Sequence, residues 1–384
     1  MNQLQETIST YSRIFHEEYK NDHHIVSPLG AWMLLALLAQ GSNEESDPLH
    51  PLAKQALGVT VEQSGSLLKK LLSSKHPAVF SAIKAWLEPG LLSSDASLQK
   101  WQQEVKDYCP IDVKIPTEEE LNSWVKDKSL NLIEEFPVTI DPEWFKGLFA
   151  TVLATDVEWE VPLKIIPDNR LSEQWETPNF LLDNNSRHTF IHKDDEHGLF
   201  GVHYAKAKKG LTVYSVISFS DVPESITLEV AHKIGAGQHN KVALSQLVSN
   251  EFLEIKEFNS TSGSSDRFQS ILPAWDFSGE HDLNEVPKCG LSAAAGRLGE
   301  VGDIKQVVVA DYSDKGFKAA ALTYAMIGRS AALGRVAKAL HADLQFTKPY
   351  AVVAFSTADN TGSIWNNLPV FSGVVAKAKL LSQG

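Results

Sequence analysis

Asp314-Lys-Gly-Phe-Lys-Ala-Ala-Ala-Leu-Thr323 is the stretch on which the reading of this chain turns. Before it, the apolar run Val307–Ala310 has strand character. After it come small, polar and basic residues, and then Phe346-Thr-Lys-Pro-Tyr350 leads into a second strand candidate, Ala351–Phe355. A long loop near the C-terminus therefore joins two strands, and its first limb is rich in small residues. Alanine is not a preferred strand residue, and no helix-start pattern opens the segment. Composition alone favours a short Ala-rich helix. Small side chains equally suit a segment that must pass between other strands without steric resistance.

Resemblance separates these readings. Asp314-Lys-Gly316 followed by Ala319-Ala-Ala321 and Thr323 resembles the hinge of the reactive-centre loop in the serpin family. Phe346-Thr-Lys-Pro349-Tyr350 is similar to the family's Phe-x-x-Pro-Phe strand after that loop, and Val370-Phe-Ser-Gly373-Val-Val375 to its closing strand. The three motifs are spaced as in the family, apart from a longer loop.

Further matches run in order along the chain. Leu4, Ile8, Tyr11, Phe15 and Tyr19 fall three or four residues apart, which predicts an amphipathic helix. In Ile25-Val-Ser27-Pro28-Leu29-Gly30, Ser27 can cap a helix and Pro28 suits its first turn. The apolar run that follows predicts a buried central helix, and the segment resembles the family's Ser-Pro-Leu-Ser helix start with Gly30 for the second Ser. Glu62–Leu72 and Ser97–Tyr108 have helical period, Ala78–Leu87 suits a strand of the main sheet, and Ile111–Ile115 alternates like an edge strand. Leu121-Asn-Ser-Trp124-Val125 with Ser129 and Ile133 resembles a family helix, and Leu148–Leu163 resembles the strand that ends in Trp-x-x-Pro-Phe. Leu211–Phe219 and Phe252–Phe258 read as strands. Leu272-Pro-Ala-Trp275 resembles Leu-Pro-Lys-Phe.

The resemblance implies an α+β serpin fold in one domain over 1–384, with three β-sheets, about eight or nine helices and an exposed loop at about 314–345. It also implies a mechanism. A protease attacks the loop and forms an acyl-enzyme, and cleavage frees the first limb to insert into the central sheet as a new strand. In the hinge, Asp314 stands for the usual Glu and Gly316 is expected to act as a pivot with permissive dihedrals. Ala319, Ala320 and Ala321 pass easily between strands, and the β-branched Thr323 suits a strand. Phe317 and Lys318 depart from the family pattern, and a bulky Phe317 needs room inside the sheet. Counting seventeen residues from Asp314 ends at Ser330, which implies a cut at Ser330-Ala331. A loop one residue shorter is cut at Arg329-Ser330, where Arg329 suits a trypsin-like pocket. Residues 331–340 have helical character. Ser27, Gly30, Thr155, Trp159 and Gln306 map to the region that controls sheet opening. Trp159 is expected to cap the top of the sheet, and Gly30 and Gln306 replace the family's usual Ser and His. Two functions follow: a suicide-substrate inhibitor of serine endopeptidases, or a non-inhibitory carrier or chaperone-like protein.

The bulk numbers narrow the partners. With 43% apolar and 22% charged residues the 384-residue chain has an ordinary globular composition. A net charge of −13 argues against general binding to nucleic acid. The cluster Lys206, Lys208 and Lys209 reads as a solvated turn. Cys109 and Cys289 make no disulfide framework or metal motif and read as packed thiols. No nucleophile elbow, His-Glu-x-x-His or phosphate loop is present, so neither an enzyme, a metal nor a cofactor is expected. Expected partners are a serine or cysteine protease in a covalent 1:1 complex, with no membrane and a monomeric state. The first residues lack a signal-peptide pattern, which suggests a cytoplasmic protein or one secreted without a signal.

Overall fold

The computed structural model describes residues 3–19, 23–42, 47–260, 266–299, 302–317, 337–358 and 362–381. The N-terminal third is mainly helical: α1 (Gln3–Glu18), β1 (His24–Val26), α2 (Pro28–Leu38), α3 (Pro51–Leu57), α4 (Val61–Ser73), β2 (Phe80–Leu87), α5 (Leu91–Ser94), α6 (Ala96–Val105), β3 (Ile111–Val113) and α7 (Glu118–Lys128). The middle alternates strands with two helices: β4 (Gly147–Ala154), β5 (Val157–Glu158), β6 (Lys164–Pro167), α8 (Asn169–Trp175), β7 (Asn179–Asp183), β8 (Thr189–Asp194), β9 (Gly198–Ala207), β10 (Leu211–Ser218), α9 (Glu224–Gly235), β11 (Lys241–Val242), β12 (Leu253–Ser260) and β13 (Arg267–Leu272). The last part holds β14 (Trp275–Asp282), α10 (Leu291–Ala295), β15 (Lys305–Tyr312), β16 (Gly316–Phe317), β17 (Ala337–Gln345), β18 (Tyr350–Ser356) and β19 (Leu368–Val375). Ten α-helices stand among the described residues against the eight or nine expected, and α5 and α10 are little more than single turns.

Local chemistry explains the boundaries. The α1 stripe Leu4, Ile8, Tyr11 and Phe15 is fully buried, as its spacing predicts. The Ser27 hydroxyl caps α2 by accepting from the Gly30 amide, with Pro28 in the first turn. That helix is buried on nearly every side, so its stability comes from packing rather than from an amphipathic face. Reciprocal capping boxes, Thr60 with Gln63 and Thr117 with Glu120, start α4 and α7.

Four hydrogen-bonded sheets result. Seven strands run β1-β19-β18-β10-β9-β8-β11, and five run β12-β17-β13-β7-β6. The other two, β3-β2-β4 and β14-β15-β16-β5, are the halves of one sheet, because β4 and β5 are consecutive pieces of a single run separated by Thr155 and Asp156. Between the halves, β4 pairs only with β2 among the described residues, and β15 meets no partner on its open side below β16. The split sheet packs on α2 in the largest core cluster, and α7 covers the outer face of β4 through Leu121 and Trp124.

The chain after the long loop differs from expectation. Ala337–Leu340, read as helical, begins the strand β17, which lies between β12 and β13. The strand-free part of the expected 314–345 loop therefore shrinks, since Gly316–Phe317 and Ala337–Gln345 both lie in sheets. The alternation Leu340, Ala342 and Leu344 against polar His341, Asp343 and Gln345 is a strand pattern that an Ala-rich composition had masked.

Candidate functional site: a split sheet and its hinge

At the top of the split sheet the chain turns out of β15 and back into it. Tyr312 pairs with Phe317 across this turn, and the Ser313 amide donates to the Gly316 carbonyl at 3.0 Å. On its other side β16 pairs with β5, Gly316 opposite Glu158 and Phe317 opposite Val157. Gly316 and Phe317 thus form a short strand between β15 and β5. Trp159 pins the turn twice. Its amide donates to the Lys315 carbonyl and its indole Nε1 to the Ser313 carbonyl, both at 2.9 Å. The Asp314 carbonyl accepts from the Leu163 amide at 2.9 Å.

The reason for glycine at position 316 is steric. Gly316 does not sit at positive φ. A β-carbon there would lie 2.1 Å from the Val157 carbonyl oxygen, so only a residue without one lets the two backbones pair. What the backbone requires of Gly316 here is close approach rather than a positive φ. Phe317, whose bulk needs room inside the sheet, is buried. Its ring lies 6.0 Å from that of Trp275 and makes an edge contact at 6.1 Å with Phe371 of β19. Trp275 stacks on Tyr312 at 5.7 Å, and Tyr312 meets Trp159 at 5.1 Å. These five aromatic rings join the top of the split sheet to the sheet beneath it.

Lower down, the two facing strands are tied to the same short stretch of α2. On β15, Gln306 makes two bonds to the backbone of Ser27: its Oε1 accepts from the Ser27 amide and its Nε2 donates to the Ser27 carbonyl, both at 2.9 Å. On β4, the Thr151 hydroxyl donates to the Gly30 carbonyl at 3.0 Å. The Ser27 hydroxyl donates to the Val370 carbonyl of β19, which fixes the start of α2 to the seven-stranded sheet. Ser27, Gly30 and Gln306 come together here. Thr155 does not join them: its buried hydroxyl makes no hydrogen bond. Thr151 takes the place proposed for it, four residues earlier on the same face of the run.

Lys318, Ala319, Ala320, Ala321, Thr323, Arg329, Ser330 and Ala331 lie outside the described residues. Cys109 and Cys289 are free and buried, and burial pushes the Cys109 thiol up to about 12. Lys208 closes an exposed pair with Glu158 at 2.6 Å beside the hinge. Among the described residues no group of three or more His, Cys, Asp or Glu is arranged to hold a metal, and no helix is long and apolar enough to cross a membrane.

No protein-family model matches this chain, and no curated protein sequence does. Solved structures match over nearly its whole length. A native thermophilic serpin, tengpin, has a TM-score of 0.64 at 16% identity, covering 98% of this chain and 93% of that one. Serpin48 of the insect Tenebrio molitor, described as highly specific, has a TM-score of 0.62 at 15% identity, with 98% of each chain covered. Thyroxine-binding globulin in complex with thyroxine has a TM-score of 0.63 at 13% identity, covering 98% and 99%. The fold of this chain is the serpin fold, as its motifs implied.

Proposed function

We propose that this protein is a single-use inhibitor of serine endopeptidases, not an enzyme, and that its cleaved loop inserts between β4 and β15 to trap a covalent 1:1 acyl-enzyme. The observation that carries this reading is the seated β16 strand above an unpaired gap. Extending its register predicts the inserted state. From Phe317 opposite Tyr312 and Val157, Ala319 arrives between Ala310 and Thr155, and Ala321 between Val308 and Leu153. Thr323 arrives between Gln306 and Thr151, the two side chains that tie the edges of the gap to α2. Alternation puts Phe317, Ala319, Ala321 and Thr323 on the inner face. Lys318 falls on the outer face, opposite Asp311 and Asp156, so its charge is no obstacle to insertion.

A strand of about ten residues contributes on the order of 10 kcal/mol through ladder bonds and burial of its inner side chains. Delivered to a tethered protease, that free energy is enough to disorder the oxyanion donors, whose loss costs roughly 100- to 1000-fold in rate. The uncleaved state persists behind a kinetic barrier. Arg329-Ser330 is the proposed reactive bond, with Ser330-Ala331 as the alternative, and trypsin-like enzymes are the proposed targets. A second reading, a non-inhibitory carrier or chaperone-like protein, is favoured by the two hydrogen bonds between Gln306 and Ser27, which hold β15 down on α2.

The test compares thermal melts of intact protein and protein nicked by trypsin, with the cut mapped by mass spectrometry. Insertion raises the midpoint on the order of 10 °C or more for a chain of this length. A nicked form that melts with the intact one removes the inhibitor reading and leaves the carrier. An SDS-stable complex with a trypsin-like protease then identifies targets.

A further inference from the structure

Four buried histidines from four separate elements meet where α1 and β1 join the body of the molecule: His16 on α1, His24 on β1, His232 on α9 and His281 on β14. His16 Nδ1 lies 3.0 Å from His24 Nε2, and its Nε2 lies 2.9 Å from the Ser372 hydroxyl of β19. The ring of His16 is 6.4 Å from that of His232, whose Nε2 meets the Ser12 hydroxyl of α1 at 3.0 Å and whose Nδ1 has no partner. His281 Nε2 donates to the Ile25 carbonyl at 2.8 Å, and its ring lies 4.7 Å from Tyr19. The partners of the His16, His232 and His281 rings are thus a histidine, two serine hydroxyls and a carbonyl, none of them anionic.

Charged neighbours stand outside the cluster. From α1 come Arg13, Glu17 and Glu18, and from α9 come Glu229, bridged to Arg13 at 3.8 Å, and Lys233, bridged to Glu229 at 3.0 Å. Lys288 pairs with Glu17 at 3.3 Å. Asp282, Glu285 and Cys289 face Tyr19, and Lys377 and Asp276 face the neighbouring His23. These acidic groups bond to other partners or face Tyr19 and His23, so they do not neutralise a charge on the His16, His232 or His281 ring.

We infer that this seam is an acid-operated latch, in which protonation of the histidines unseats α1 and β1 and thereby loosens Ser27 at the head of α2. The coupling is geometric. β1 ends at Val26, Ser27 follows directly, and Ser27 is the residue that Gln306 grips beneath the gap. His16 and His24 cannot both be charged at 3.0 Å. Burial holds His16 and His281 below the ordinary histidine value and takes His232 down to about 3. The unseated rings bind protons near pH 6.5, so the seam has its full stability above that pH and loses it as pH falls.

The experiment is hydrogen exchange with mass spectrometry on the full chain from pH 7.5 to 4.5, corrected for the intrinsic rate. Below about pH 6.5, exchange in Gln3–Val26 is expected to rise about tenfold per pH unit for each ring that takes up a proton on opening. His232→Gln and His16→Gln should each move the onset to lower pH. A flat corrected profile across Gln3–Val26 overturns the inference, as does an unchanged onset in both variants. Should a variant fail to fold, histidine NMR of the unsubstituted chain decides: the latch requires rings in the seam to titrate together with the loss of α1 protection. The readout is exposure of α1, not inhibition, so its failure leaves the loop-insertion reading standing.

Discussion

The two ends of the split sheet are closed by different chemistry. At the top the closure is backbone pairing, with Gly316 and Phe317 laddered between β15 and β5 and the Phe317 ring joined to a cluster of four other aromatics. At the bottom it is side chains alone: Gln306 and Thr151 reach separately to the first turn of α2. Laddered backbone with buried aromatics costs several kcal/mol to remove, whereas two or three side-chain bonds contribute about 1 kcal/mol each. The molecule is thus committed to a strand at the top and only lightly restrained below. For the proposed insertion, that asymmetry sets a direction, from Phe317 downward.

The largest expected effect breaks the top. Gly316→Val drives a β-carbon into the Val157 carbonyl, and we expect a loss above about 4 kcal/mol by urea unfolding of the intact protein. An unchanged midpoint would mean that β16 is not part of the stable fold. Phe317→Ala leaves a cavity beneath Trp275 and Phe371 and should cost roughly 3–5 kcal/mol. If the nicked form loses as much as the intact form, Phe317 keeps its place in both, as the projected register requires.

Gln306→Ala sharpens the comparison from below. It removes two bonds to Ser27, so the carbonyl keeps the Ala31 amide while the Ser27 amide loses the Gln306 acceptor, at a cost of about 1–3 kcal/mol. More telling is the rate. Heated at moderate temperature, Gln306→Ala should convert to the proposed loop-inserted form faster than the parent on native gels, because the restraint lost is one that the proposed insertion must break.

The smallest effect contrasts the four-histidine seam with a second buried group. Asp183 accepts from His188 Nδ1 at 2.7 Å and His203 Nε2 at 3.1 Å, where β7 meets β8 and β9. Burial alone would raise the Asp183 carboxyl, but the bonds from His188 and His203 outweigh it and hold it far below the carboxylate range. Its folded pKa is depressed, so its contribution is present above about pH 4 and is lost as pH falls further. Burial lowers the His203 ring as well, but Asp183 opposes that shift, so exchange in β7–β9 should begin to rise at a lower pH than exchange in α1 and β1. Simultaneous loss of both regions would show that the carboxylate makes no difference.

The order of elements was legible in the residue pattern alone. Capping residues, helical spacing and strand alternation are local and survive without a structure, which is why α1, α2, α4, β2 and β10 fall where the pattern put them. The motifs around Gly316, Trp159 and Ser27 were legible for the same reason. Tertiary structure alone decided what those residues do. The need for glycine at 316 comes from a carbonyl more than 150 positions away, the room for Phe317 from β14 and β19, and the choice of Thr151 over Thr155 from which hydroxyl reaches α2. The histidine seam gathers positions 16, 24, 232 and 281, whose separations follow no period. Local periodicity reports which face a residue takes, and only the packed chain sets which distant atom lies on that face.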